Sequence, residues 1–133
     1  MTSPKAILSR ILFLLYLCAI AMLCFMHTDK LPDVQKFILG IPTDKVVHFC
    51  MFFPFPILAF LSFDRYTETV SRTLLFVGAT FLVGILLAVG TEWAQAHLTD
   101  YRSGDPLDFL ADGLSLLLSS ALVAFWDIRK QKS

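Results

Sequence analysis

The chain has 133 residues, of which 56% are hydrophobic and 17% charged, with 11 basic side chains balancing 11 acidic ones. At a mean hydropathy of +0.70 a soluble domain of this size has nowhere to bury so much apolar surface. The neutral total also gives no basic field of the kind that nucleic acid requires, so no nucleic-acid partner is expected.

Four apolar runs are each about the ~20 residues needed to cross a ~30 Å hydrocarbon layer. They are placed at 6–26, 45–63, 73–98 and 106–126. Backbone polar groups in lipid must be paired within the segment, so these runs are expected as helices of an all-α, four-transmembrane-helix bundle forming a single membrane domain.

The first run follows Lys5 and Arg10, and Ala19-Ile20-Ala21 resembles a signal-peptide cleavage site. The run continues to Met26, which favours a retained, lipid-facing anchor, with Arg10 snorkelling to the interface. Leu23 before Cys24 argues against a lipoprotein site, and Cys18, Cys24 and Cys50 lack metal or disulfide spacing. They read as packing residues.

The second run contains Pro54 and Pro56 among Phe52, Phe53 and Phe55. Each proline removes a backbone donor, so a kink is expected there, either architectural or opening a cleft. In the third run Gly84 and Ala88 form a small-xxx-small pair suited to close helix approach. Glu92 and Gln95 continue the same face, whereas Trp93 is expected to anchor at the interface, with His97 also interfacial.

The fourth run opens with Asp105-Pro106-Leu107-Asp108, a helix-start pattern with Asp105 at the N-cap and Pro106 at N1. Capping does not account for Asp112. Asp108, Asp112, Ser115 and Ser119 fall on one stripe, which predicts a polar seam facing the bundle interior. An ionised group at bilayer depth costs roughly 2.5–3.5 kcal/mol on insertion scales, so intramembrane carboxylates point to a functional site.

Four spans place both termini on one side, with seven basic residues there against four on the other. The positive-inside rule then puts both termini in the cytoplasm. Alternating topology delivers Asp44, Lys45, His48, Glu92, Gln95, Arg102, Asp105, Asp108 and Asp112 to the outer level. Asp44 lies one turn before His48 and is placed to orient the imidazole. Arg102 is expected to pair with Glu92, Asp105 or Asp108, either as a structural clamp or as an anion contact. Closely spaced carboxylates share protons or bind a cation, so a divalent cation on Glu92, Asp108 and Asp112 is one expectation. General acid and base work on a glycan or phosphate ester is another. No nucleophile elbow, phosphate-cradling loop or zinc signature is present in the sequence.

In order along the chain, Asp44-Lys45-x-x-His48-Phe49, Glu92-x-x-Gln95, Arg102 and Asp105-x-x-Asp108-x-x-x-Asp112-Gly113 resemble the VanZ-like family. These are small membrane proteins associated with teicoplanin resistance. The resemblance runs from about Asp44 to Ser120 and departs from the family's glycine-rich step after the last motif, where Leu114-Ser115 stand. It implies a cell-envelope role in a bacterial cytoplasmic membrane, with a polar site toward the outer leaflet, and it implies no particular reaction.

Three functions fit this pattern. The first is a membrane enzyme on a lipid-linked or glycolipid substrate, with Glu92, Asp108, Asp112 and His48 as proton carriers. Lys45, Gln95, Arg102, Asp44 and Asp105 would then hold the headgroup. The second is a non-catalytic accessory protein that engages a glycopeptide, a lipid-linked precursor or a partner helix. The third is a proton- or cation-coupled transporter, for which four spans are few and no inverted repeat is evident. The oligomeric state is open at this stage.

Overall fold

The computed structural model describes residues 3–25, 37–38, 40–63, 68–98 and 106–132, without side-chain description at 24–25, 37–38 and 42–44. Five helices make up most of it: α1 (Pro4–Phe25), α2 (Thr43–Phe52), α3 (Pro54–Phe63), α4 (Val70–Leu98) and α5 (Pro106–Lys132). With α2 and α3 running together, these supply four segments long and apolar enough to cross a membrane. A two-stranded antiparallel pair, β1 (Phe37–Ile38) and β2 (Ile41–Pro42), precedes α2. The sequence reading did not foresee it. Its tight turn uses Gly40 at φ 81°, a conformation that favours glycine.

Local chemistry explains the helix starts. Ser3 accepts a hydrogen bond from the Ala6 amide at 3.2 Å, with Pro4 in the first helical position of α1. Thr69 caps α4 in the same way, accepting from the Arg72 amide at 3.2 Å. The helices otherwise begin and end within a few residues of the expected spans, with one larger departure. The expected end at Trp126 marks only the limit of the apolar run, because α5 continues to Lys132.

The second span is interrupted at Phe53, where α2 stops and α3 begins with Pro54. Pro54 and Pro56 cannot donate to the carbonyls one turn earlier, so the ladder is broken there. Side chains from two other helices attend the break. Ser115 donates to the Phe49 carbonyl at 2.7 Å, Ser119 to the Phe53 carbonyl at 2.6 Å, and the Tyr16 hydroxyl to the Met51 carbonyl. The polar stripe of α5 thus lies against the kink: the prolines leave the Cys50 and Phe52 carbonyls without their usual donors, while the hydroxyls bond the neighbouring carbonyls, of which Phe49's also accepts from the Phe53 amide at 3.1 Å.

These contacts also fix the topology. Pairing of Arg10 with Ser62 and Tyr16 with Met51 makes α1 antiparallel to α2–α3. Pairing of Lys45 with Asp108 and Phe53 with Ser119 makes α5 run parallel to α2–α3. Thr73 meets Asp127, so α4 is antiparallel to α5. The second span is the most buried, at 44% of its window, and α1 the least, at 6%. That places α2–α3 at the centre and α1 at the periphery.

The core is Phe52, Phe55, Ala88 and Leu116. Gly84 lies beside it, so close to α5 that a Cβ there would stand 2.7 Å from Leu116 Cδ2 and 3.3 Å from Phe55 Cδ1. The small-xxx-small pair on α4 therefore admits Leu116 and Phe55, as its spacing indicated. Leucines and valines of α1, α4 and α5 form the exposed outer surface. Such a surface suits surroundings of lipid.

Arg10 also packs against α3. Its Nε donates to the Ser62 carbonyl at 3.1 Å and its guanidinium lies 5.2 Å from the Phe63 ring centroid. It closes the end of α3, so α1 is more than an anchor. Trp93 and His97 are exposed and stacked, with ring centroids 4.9 Å apart. Cys18 and Cys50 are free thiols at exposed positions.

Candidate functional site: a charged cluster at one end of the bundle

Three helix ends meet where α2 begins, α4 finishes and α5 begins. The α2 register puts Lys45 and His48 on the side facing α5, one turn short of the proline break. On α5 the four-residue spacing of Asp108 and Asp112 aims both carboxylates at α2. On α4, Gly84 and Ala88 draw the helix inward, and the same face carries Glu92 to the cluster's edge.

His48 is the hub. Its Nδ1 is hydrogen-bonded with Asp112 Oδ1 at 3.0 Å. Glu92 Oε1 lies 3.9 Å from the same nitrogen, and Asp108 Oδ2 lies 3.4 Å from Nε2. Lys45 Nζ donates to the other oxygen of Asp108 at 2.6 Å. The cluster is enclosed: His48 is 6% exposed, Asp108 8%, Gln95 2% and Asp112 0%. Among the described residues, Asp112 Oδ2 is buried without a hydrogen-bond partner. Three carboxylates thus gather round one imidazole and one ammonium, with Asp112 fully enclosed and the side chains of Lys45, Glu92 and Asp108 reached only at their edges.

Five of the nine residues singled out from sequence are brought together here: Lys45, His48, Glu92, Asp108 and Asp112. Gln95 is buried one turn along α4. Arg102 and Asp105 lie outside the described residues, as does the side chain of Asp44, so the Arg102 clamp, the Asp105 cap and the Asp44–His48 pair fall there too. The partner that orients His48 in the structure is Asp112, 64 positions away. For a cation the donor set shifts. His48, Glu92 and Asp108 present atoms within 4.8 Å of one another, whereas sequence spacing had grouped Glu92, Asp108 and Asp112.

A second polar group escaped the sequence reading. At the opposite end of the bundle, Thr73 donates to Asp127 Oδ2 at 2.5 Å. Gln131 donates to Thr73 Oγ1 at 2.8 Å and to Asp127 Oδ2 at 3.0 Å. Asp127 is 5% exposed and Thr73 0%. A cue existed: Asp127 continues the stripe of Asp108, Asp112, Ser115 and Ser119 after two further turns. The position just past Trp126, where the apolar run stops, concealed it.

An apolar crevice between α3 and α5 has a volume of about 260 Å³ and is lined by Ile57, Phe60, Leu61, Leu122, Val123 and Trp126. It lies in the half of the bundle away from His48 and offers a ligand no polar contact, so the candidate site is the charged cluster. No protein-family model, curated protein or solved structure matches the chain.

Proposed function

We propose that the chain is a VanZ-like multi-pass protein of a bacterial cytoplasmic membrane. In this reading its charged cluster, near the outer leaflet, binds the polar headgroup of a lipid-linked cell-envelope ligand and moves a proton on it. The VanZ-like motif residues and the excess of basic residues at the end carrying both termini support the family and the orientation.

One observation carries the functional reading: His48 is enclosed between Asp112 and Asp108, with Glu92 beside it and Lys45 on Asp108. Structural need alone does not call for so much charge. The far end of the same bundle joins α4 to α5 with one carboxylate, one hydroxyl and one amide. Burying carboxylates is costly, and an interaction that merely joins helices gains little over apolar packing. Lys45 is the group suited to an anionic headgroup such as a polyprenyl phosphate. His48, Glu92, Asp108 and Asp112 are the groups suited to proton transfer.

The Lys45–Asp108 contact at 2.6 Å favours a second reading as well. There the cluster is a set of specificity contacts in a non-catalytic accessory protein, binding a glycopeptide or a lipid-linked precursor.

Binding and turnover separate the two. Purified protein in nanodiscs is expected to bind a polyprenyl phosphate or a lipid-linked precursor. Lys45→Gln weakens that binding, whereas Glu92→Gln and Asp112→Asn abolish turnover and leave binding in place. Binding without turnover in the parent protein selects the accessory role. Retention of both after joint neutralisation of Glu92, Asp108 and Asp112 overturns both readings.

A further inference from the structure

His48 meets carboxylate oxygen through both ring nitrogens. Nδ1 lies 3.0 Å from Asp112 Oδ1, and Nε2 lies 3.4 Å from Asp108 Oδ2. A neutral imidazole has one N–H and one lone pair. Whichever tautomer it takes, the lone pair of one nitrogen then faces the lone pairs of a carboxylate, and in a buried place that contact is repulsive. With a proton on each nitrogen both contacts become attractive, and the ring is a cation between two anions.

Charge gives a second, separate argument. Asp112 is 0% exposed, and its Oδ2 has no hydrogen-bond partner among the described residues. A buried carboxylate so placed requires a positive neighbour. Lys45 stands on Asp108 at 2.6 Å, so among the described residues the group beside Asp112 that can carry a positive charge is His48. From α4 the ring is faced by Glu92, 3.9 Å from Nδ1, and α1 adds Tyr16, an uncharged hydroxyl that donates to the Met51 carbonyl. Imidazole is ordinarily a stronger base than an aspartate, at ~6.5 against ~3.9, so the shared proton belongs on the ring. One cation there answers Asp112, Asp108 and Glu92 together.

We propose that His48 is an imidazolium, its Nδ1 proton fixed on Asp112 and its Nε2 proton the one free to leave. The Nε2 contact is longer than an ordinary N–H···O bond of ~2.7–3.2 Å, whereas the Nδ1 contact falls within that range. The side chain of Asp108 is also 11% exposed, against 0% for Asp112, so the Nε2 side is the one nearer solvent. Asp112 is then a positioning residue that holds both the ring and its charge. The inference deepens the proposed headgroup site and rests on it only for the ligand: there His48 is the acid. Its Nε2–H bond breaks with the electron pair left on nitrogen, and an oxygen of the headgroup gains the proton. The neutral imidazole that results keeps its Nδ1–H on Asp112, and solvent at the edge of Asp108 restores the second proton.

Solid-state ¹⁵N NMR of the full-length protein in liposomes tests it, with ring-labelled histidine and with His27→Gln and His97→Gln combined, so that His48 is the one histidine left. At about pH 7.5, where free imidazole is mostly neutral, two N–H resonances and no signal of an unprotonated ring nitrogen are expected. The Nε2 proton exchanges with water faster than the Nδ1 proton. Asp112→Asn in the same background keeps an acceptor for Nδ1–H and removes the charge. It lowers the ratio of charged to neutral ring by ~10-fold or more, the effect of losing one adjoining opposite charge. Asp127→Asn, at the far end, leaves that ratio unchanged. An unprotonated ring nitrogen as the main species in the parent overturns the inference. A ratio that Asp112→Asn does not move, or faster exchange at Nδ1, does the same. The measurement contains no headgroup, so a neutral ring refutes this inference alone, and a charged ring in a protein that binds no headgroup refutes the proposed function alone.

Discussion

Ser115 and Ser119 show how the meaning of a residue depends on what it meets on the neighbouring helix. Both are fully buried in an apolar helix, and each donates to a carbonyl on α2–α3 beside the proline break. From sequence their stripe with Asp108 and Asp112 was legible as an inward-facing seam. The acceptors were not, since Phe49 and Phe53 are named for rings and act here through backbone oxygens. Ser119→Ala is expected to lower stability by ~0.6–1.7 kcal/mol, the range for interhelical hydrogen bonds in membrane proteins. Tyr16→Phe, which removes the donor to Met51, should fall in the same range. Titration with denaturing detergent measures both. A loss above ~3 kcal/mol for either would mean that the packing at the α2–α3 junction depends on these hydroxyls far more than ordinary interhelical bonds allow.

A harsher outcome is expected at Asp112. Its carboxylate is completely enclosed and, among the described residues, its hydrogen-bond partner is His48. Asp112→Ala leaves the imidazole facing a void and removes a buried partner, an event that costs ~3–5 kcal/mol. Asp112→Asn keeps the shape and the acceptor, so its stability should stay much nearer the parent. The contrast between the two variants, read in the same detergent titration, separates charge from packing.

At the scale of elements, α4 and α5 depend on the absence of a side chain. Gly84 was readable as a contact position because it precedes Ala88 by four, and the structure supplies the partners, Leu116 and Phe55. A methyl group at position 84 would meet Leu116 Cδ2 at 2.7 Å, well inside contact distance. Leu116 is 0% exposed and has little room to turn away. Gly84→Ala should therefore cost ~1–3 kcal/mol as an overpacked core does. Pairing it with Leu116→Ala should recover part of the combined loss, because the smaller neighbour accepts the methyl. A double-mutant cycle is the measurement, and strictly additive losses would show that the close approach of α4 to α5 is not made at Leu116.

For the whole molecule, two polar groups hold opposite ends of one helix pair, and they differ in how readable they were. Asp112 stands amid leucines, where a carboxylate has no ordinary explanation. Asp127 stands beside Arg129 and Lys130 in a stretch that reads as a solvated helix end. Burial of Asp127 is a tertiary fact: it requires Thr73 of α4 and Gln131 one turn on, and neither spacing nor composition joins them. The α2–α3 break was legible for a local reason, because proline acts on its own backbone wherever it sits.

Fifteen residues separate Asp112 from Asp127, about 22 Å along a helix at ~1.5 Å per residue. Among the described residues, the hydroxyls in that interval on α5 are those of Ser115 and Ser119, which are bound to α2–α3 carbonyls, and of the buried Ser120, which has no hydrogen-bond partner there. Between them lies Val123, at 7% exposure, in the apolar half of the bundle. If the far end is only a fastening and the near end is the working site, energy put into one should not reach the other. The losses from Asp112→Ala and Asp127→Ala should then add to within ~0.5 kcal/mol in the double variant, as distant independent sites do. Asp127→Ala should also leave headgroup binding at the near end unchanged. A coupling above ~1 kcal/mol would mean instead that α5 moves as a rod between two states. The division of labour between the ends would then be wrong, and the buried stripe of α5 would have to be treated as one device.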